Sequence, residues 1–482
     1  MNQKRIGIFI SYLNLILGMV VNVFLTPLLI SEFGDVNYSL YKVMQSFAGP
    51  LSMFHLGIST IVTRSIVQYK NDDGYTLSEK QNTMALSVLA SFVMAFFVCV
   101  SGIIMWIAIP EIYGVTYSQE NVKLGQNIFL VFMSSTVLHM LTDAFSGCLV
   151  GHEKFAVSSS IQLSKTLIKL VLWIVMLKMG VGVFGIVCVD LVISAAVFLF
   201  SAVYAMAILR EIPKLLHWDT KKIIEIISFG FAILLQAVVN QVNNNVDTMI
   251  LGAYIHEKSI ITMYSSALAI YTIYNSLISV IANFFLPKAA QLITKRASGE
   301  EITDFVIAPG RFQAVLAVAC VLGFSLYGRN FIAVWIGDQY MDAYWVTLSL
   351  MIPVTIPLVE NAMIPVLDAS LKRIYRSVTL VIMACLNLVV TLLLVQWIGF
   401  WGAAIGTVVS LVVGHGILMN AYYAKTFKLQ IRRMFCSIFK GILPSGLLAA
   451  VICIPLAILL PDTILYFIFK CICFVLLYFI FL

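Results

Sequence analysis

At 482 residues the chain could hold two or three soluble domains, yet 61% of it is hydrophobic and only 11% charged, with a mean hydropathy of +0.99. A soluble domain carries about 25% charged residues, so a water-covered globular surface is excluded, as are disordered, fibrous and disulfide-scaffold classes. The formal charge of +7 reads as membrane topology and not as a nucleic-acid footprint.

A helix that crosses a bilayer needs about 20 mostly apolar residues, with every backbone group paired internally. Applied along the chain, that rule places spans at 6–30, 39–63, 84–109, 124–149, 155–178 and 181–208, then at 226–252, 259–283, 306–332, 343–367, 377–397 and 401–423, and last at 439–461 and 463–482. The expected class is therefore an all-α integral membrane protein of about fourteen transmembrane helices. The first span is longer than a signal-peptide h-region and no small-residue cleavage site follows it, so it is expected to stay in the chain. With a cytoplasmic N-terminus, basic clusters such as Lys4-Arg5, Lys221-Lys222, Lys295-Arg296, Lys372-Arg373 and Arg432-Arg433 fall at inner ends, whereas the outer loops hold only Lys123, Lys178, Lys258 and Arg329. The positive-inside rule then puts both termini in the cytoplasm.

The outer loops are short, and no P-loop, HExxH or nucleophile-elbow pattern appears in the connections. An enzyme is not expected. The cysteines sit mostly inside apolar runs without ligand spacing and read as small hydrophobes, so no metal or other cofactor is expected.

The chain also matches itself weakly at an offset of about 218 residues. Val20-Val21-Asn22 meets Val238-Val239-Asn240, Asp143 meets Asn361, Lys154 meets Lys372, and Gly182–Gly185 meets Gly399–Gly402 one residue out of register. Copies of six spans, an even number, enter the membrane in the same direction, which gives parallel repeats. The expected organisation is an N-terminal six-helix lobe at 1–210, a C-terminal one at 211–425 and two additional helices at 426–482.

Polar groups at membrane depth mark pathways. In the fifth span Ser158, Gln162, Lys165 and Lys169 share one helical face. Lys165 lies about 15 Å along the helix from Phe155, near midplane, unless the helix starts later and both lysines are interfacial anchors. The seventh span repeats Gln236, Asn240, Asn243, Asn244 and Asp247, and the first aligns Ser11, Asn14, Gly18, Asn22 and Thr26. Such rows form either a wet wall or interhelical glue. Lys42 and Gln45 start the second span, Arg64 and Arg311 stand at inner helix ends, and Asp143 and Asp190 are further candidates. Asp247 is a lysine partner, a proton site or an interface residue; Glu360, with Asn361, lies deep in the tenth span. Cations at depth suit a phosphate, and carboxamides and hydroxyls suit a sugar. A lipid phosphosugar satisfies both.

His55-Leu-Gly-Ile-Ser-Thr-Ile-Val-Thr-Arg64, the stretch from Phe229 through Asn243-Asn-Asn-Val-Asp247 to Gly252, and Tyr264 to Pro287-Lys288 resemble the corresponding segments of Wzx-type O-antigen flippases, in the multidrug/oligosaccharidyl-lipid/polysaccharide exporter superfamily. The resemblance covers the first twelve spans. It implies a two-lobed, MATE-like transporter of the bacterial inner membrane that flips undecaprenyl-pyrophosphate-linked O-antigen or polysaccharide repeat units to the periplasmic leaflet by alternating access. It also implies a central cavity lined by the first, second, seventh and eighth spans. Many relatives carry a basic residue directly after the seventh-span aspartate, where this chain has Thr248.

On these grounds Lys165 and Lys169 are expected to attract the pyrophosphate, helped by Arg64, Arg311 or Lys42. Ser11, Asn14, Asn22, Gln45, Gln162, Gln236, Asn240 and Asn244 are expected to meet the sugar, and Asp247 or Glu360 to carry ion coupling. The partners are the lipid-linked oligosaccharide, membrane lipids and other polysaccharide-assembly membrane proteins, with no nucleic acid. Competing assignments are a peptidoglycan-precursor flippase, a drug or cation exporter of the same fold, and a membrane glycosyl polymerase or ligase.

Overall fold

The computed structural model describes residues 3–54, 58–71, 77–210, 212–218, 220, 224, 245–279, 286–295, 297–370, 372–461 and 463–482. Everything ordered into an element is helical, as lipid requires of a chain whose backbone groups have no water to pair with. The contacts divide the protein into two compact units, Met1–His256 and Glu257–Leu482.

The first unit holds α1 (Gln3–Ala48), a 3-10 turn (Gly49–Phe54), α2 (Ile58–Asn71), α3 (Leu77–Tyr113), α4 (Gln119–Gly151), α5 (Phe155–Lys178) and α6 (Val183–Val203), which runs on as a π turn to Ile208. Residues 245–254 form α7. The second unit holds α8 (Lys258–Ser279), α9 (Leu286–Thr294), α10 (Gly299–Trp335), α11 (Ala343–Val359), α12 (Met363–Ala369), α13 (Arg373–Ile398), α14 (Phe400–Leu411), a π turn (Val412–Met419), α15 (Asn420–Phe427), α16 (Ile431–Phe439), α17 (Ile442–Leu459) and α18 (Ile464–Phe481).

This is a multi-pass all-α membrane protein. Among the described residues, nine helices are long and apolar enough to cross a membrane, with shorter apolar helices at Ile58–Val67, Ala343–Val359 and Leu465–Phe481. This count leaves the expected set of about fourteen separate spans unconfirmed, and the chain is broken in several places. The first two expected spans both run through α1, which is two helices meeting at a non-helical Gly34, and most of the seventh lies outside the described residues. The second is interrupted by the turn at Gly49-Pro50, because proline removes a helical N–H and disfavours helix before it. The tenth is broken between α11 and α12, where Glu360 caps α11.

Gly34 has φ 65° and ψ 173°, a region open essentially to glycine alone. A Gly34→Ala variant is expected to lose about 1–3 kcal/mol, read as a lowered unfolding temperature in detergent; unchanged unfolding would show that α1 tolerates a straighter path there.

The exterior carries what acyl chains demand. Phe92, Phe96, Ile103 and Ile107 on α3, and Val378, Ile382, Val389, Leu393 and Trp397 on α13, are exposed along one side of each helix. Inside, Ile58, Val62 and Ile66 of α2 pack with Met84, Phe145, Cys148 and Leu149 in the first unit. In the second, α10 is centred among α12 and α15 to α18. Two matched pairs from the internal repeat occupy equivalent places. Lys154 and Lys372 each precede the helix, α5 or α13, and Gly182 and Gly399 each precede the next, α6 or α14.

Candidate functional site: a lysine cluster in the first unit

The polar half of α5 is built on its packing against α1, α4 and α6. A Cβ on Gly7 would stand 2.6 Å from that of Phe155, so the glycine lets the start of α1 approach α5 closely. Higher up, Ser11 Oγ and Ser159 Oγ are 2.8 Å apart, and Thr166 Oγ1 donates to Asn14 Oδ1 at 2.7 Å. These bonds join the polar row of the first span to that of the fifth, so part of the row acts as interhelical glue.

Of the rest of the α1 row, Asn22 is exposed, whereas Thr26 is buried and donates to the Asn22 carbonyl at 2.8 Å. On α1, Phe9, Leu13, Ile16, Val20 and Phe24 are exposed on one side, while Ser11 and Asn22 are exposed on the other, about 180° away at about 100° per residue. On α5, Leu167, Ile168, Val171 and Val175 are exposed opposite Gln162, which is also exposed. The segregation is partial: Leu15 is exposed beside Ser11 and Asn22, and Ser160 and Ser164 are exposed on the otherwise apolar side of α5.

Lys169 is one turn beyond Lys165 on that polar face. Its Nζ donates to Asp190 Oδ2 of α6 at 2.9 Å and lies 4.1 Å from the Trp173 ring centroid. Trp173 Nε1 donates to the other oxygen, Oδ1, at 3.0 Å. The carboxylate thus holds both a cation and the ring beneath it. With 31% of the Lys169 side chain and 19% of that of Asp190 accessible, the pair remains within reach of an incoming anion.

Lys165 Nζ is 3.2 Å from His139 Nε2 of α4. An ammonium group only donates, so the imidazole accepts at Nε2 and carries its proton on Nδ1. Ser194 Oγ lies 3.4 Å from the same Nε2 and donates to the Asp190 carbonyl at 2.8 Å, tying the two lysine sites together. Lys42 Nζ, on the second half of α1, lies 5.6 Å from the ring centroids of both Tyr38 and Tyr41. Tyr41 meets Trp173 edge-on at 6.4 Å and accepts a 3.5 Å hydrogen bond from Gln45 Nε2. Three ammonium groups, two of them over aromatic faces that favour cations, are thus gathered about the carboxylate of Asp190. The surplus is positive, and its natural complement is a multiply charged anion such as pyrophosphate.

The other expected site residues are placed less centrally. Arg311, on α10, donates from Nη1 to the carbonyls of Ser437 at 2.7 Å and Lys440 at 3.0 Å, closing the end of α16. Asp247 is buried on α7, whose Gly252 carbonyl accepts from Thr116 Oγ1 at 2.7 Å. Glu360 is buried at the α11–α12 break beside Asn420. Gln236, Asn240 and Asn244, like the side chain of Arg64, lie outside the described residues. Among the described residues no group of three or more His, Cys, Asp or Glu could hold a metal ion.

His139, Trp173, Tyr38 and Tyr41 were not singled out by sequence, although a lone histidine in an apolar span is itself a signal. Lys470 also escaped notice. It is wholly buried in α18 and donates to the Leu460 carbonyl at 3.0 Å, pinning the end of α17.

Residues 6–293, which carry the whole lysine cluster, match the polysaccharide biosynthesis protein family. The chain belongs to that family. A search of curated proteins by sequence gives no match. Among solved structures, the fold is similar to a lipid II flippase MurJ in an inward closed conformation, with a TM-score of 0.75 and 15% identity over 98% of this chain and 97% of that one. It is also similar to an inward-facing multidrug resistance MATE family transporter of the MOP superfamily, with a TM-score of 0.64 and 14% identity over 88% of this chain and 100% of that one. A Vibrio cholerae MATE transporter, VcmN, follows with a TM-score of 0.57 and 12% identity over 88% and 97%. At such identities the likeness speaks for the fold.

Proposed function

We propose that this polysaccharide biosynthesis family member translocates a saccharide linked to a polyprenyl pyrophosphate across the bacterial inner membrane. The observation that carries this is the surplus of positive charge at Lys42, Lys165 and Lys169 beside a polar helix face. The pyrophosphate exchanges with Asp190 for Lys169 and engages Lys165, while Ser11, Asn22, Gln45 and Gln162 bond the sugar hydroxyls. Keeping the headgroup in a wet region and the prenyl tail in lipid spares each its unfavourable solvent. Two six-helix lobes at 1–210 and 211–425, with two added helices at 426–482 and cytoplasmic termini, would alternate access by rocking. Asp247 and Glu360 are the candidates for coupling to an ion gradient.

Two headgroups fit. Family membership supports an O-antigen or other polysaccharide repeat unit. The likeness to the lipid II flippase, which exceeds that to the two MATE transporters and extends over 98% of the chain, favours a peptidoglycan precursor. The lysine surplus speaks against an organic cation, which would prefer carboxylates.

Proteoliposomes decide among these. The full chain is expected to move a fluorescent lipid-linked saccharide between leaflets well above the protein-free rate, and running lipid II beside a polyprenyl-pyrophosphate oligosaccharide assigns the headgroup. Export of an organic cation, with neither lipid moved, would overturn the proposal.

A further inference from the structure

Between α5 and α6 the first unit carries an open groove of about 700 Å³. One wall runs from Ala156 to Leu172 and the other from Val192 to Tyr204. At 1.5 Å per residue the α5 wall is about 24 Å long, most of the ≈ 30 Å hydrocarbon thickness of a bilayer. Ile193 and Val197 are buried at its floor, and Ile168, Val192 and Phe200 are exposed along its rims. Apolar surface of that kind ordinarily meets whatever acyl chains drift past.

Two features set this groove apart. Its lining includes Lys165, with Ser164 and Ser160 one and five residues nearer the start of α5. Lys165 is also the residue whose Nζ reaches His139 and whose helical neighbour Lys169 is held by Asp190. The groove therefore meets the cation cluster at a shared side chain. A ligand that fills the groove and satisfies Lys165 must be a long hydrocarbon ending in an anion. A phospholipid meets this poorly, because its phosphate sits in the interface, whereas Lys165 lies about 15 Å along the helix from Phe155.

We propose that the groove between α5 and α6 binds the isoprenoid chain of the transported lipid pyrophosphate, with Lys165 at the junction of tail and head. This rests on the transport function proposed above and adds where the tail is held.

The test uses the full chain in vesicles of phosphatidylethanolamine and phosphatidylglycerol, with a polyprenyl pyrophosphate bearing a diazirine on its chain. On illumination, adducts are expected within 156–172 and 192–204, displaced by unlabelled polyprenyl pyrophosphate and not by the same excess of phosphatidylglycerol. Ala196→Trp, which fills the groove from its exposed wall, is expected to cut that labelling at least fivefold. Should it fail to fold, Val192→Trp at the rim serves instead. Adducts spread over all lipid-facing helices, or displaced equally by phosphatidylglycerol, would mark ordinary lipid contact and overturn the tail site. Transport is measured in parallel. Saccharide movement without groove labelling removes the tail site alone, whereas no movement of any lipid-linked saccharide removes the function, with the labelling pattern still deciding the groove.

Discussion

A Lys165→Ala/Lys169→Ala variant is expected to move a lipid-linked saccharide at least about 100-fold more slowly than the unaltered protein, at equal expression. Each hydrogen bond from a charged donor contributes about 1.5–3 kcal/mol, and about 1.4 kcal/mol is tenfold, so losing two reaches that factor. Asp190→Asn is expected to act in the opposite direction on binding. The amide keeps an acceptor for Trp173 Nε1, now 3.0 Å from Oδ1, but no longer competes as an anion for the Lys169 ammonium, now 2.9 Å from Oδ2. A short-chain prenyl pyrophosphate should then bind about tenfold more tightly and turn over more slowly, because release needs the carboxylate to reclaim the lysine. Calorimetry on the purified variants and leaflet-exchange rates supply the two readouts. If the double variant transports normally, the lysines are interfacial anchors. If Asp190→Asn changes stability alone, the Lys169–Asp190 pair is structural.

The physical basis of what was legible in the sequence is hydropathy. Long apolar runs flanked by basic residues must be helical in lipid, and α5 spans Phe155–Lys178, the limits that hydropathy alone assigns. The row Ser158, Gln162, Lys165, Lys169 was visible for a related reason, since charge at depth stands out against an apolar background. The partners were not. Asp190 of α6 lies 21 positions from Lys169, and His139 of α4 lies 26 from Lys165; such pairings depend on how three helices rotate against one another, which periodicity does not fix. Tyr38 and Tyr41 carry no signal in the sequence that Lys42 lies over their rings. Helix breaks were equally hidden. At Gly34 the two helices of α1 meet in a kink, whose angle hydropathy does not give because it measures apolar length and not backbone direction. Arg311 shows the converse, a cation expected at an inner helix end that the fold engages with the carbonyls of Ser437 and Lys440.

Glu360→Gln is expected to leave folding and downhill transport intact while reducing gradient-driven accumulation at least about tenfold, a difference of about 1.4 kcal/mol. Glu360 is 3% exposed at the α11–α12 break, and discontinuous helices of this kind place polar groups at coupling sites in secondary transporters. Its neighbour is the Asn420 side chain, whose Nδ2 donates to the carbonyls of His415 at 3.0 Å and Gly416 at 3.4 Å in the π turn. Among the described residues, Glu360 Oε1 and Asn420 Oδ1 are both buried acceptors without a hydrogen-bond partner. An unsatisfied buried group costs about 1–3 kcal/mol, and a proton on the carboxyl, or a small cation beside it, relieves that cost. Arrival and departure of that charge is what a gradient would drive. Glutamine brings its own NH2 donor, so the variant is satisfied permanently, with thermal stability equal to or above that of the unaltered protein and no dependence on an imposed proton or sodium gradient. Measuring accumulation in proteoliposomes with and without each gradient checks this. Persistence of gradient dependence in Glu360→Gln would assign the coupling elsewhere, with Asp247 the next residue to replace.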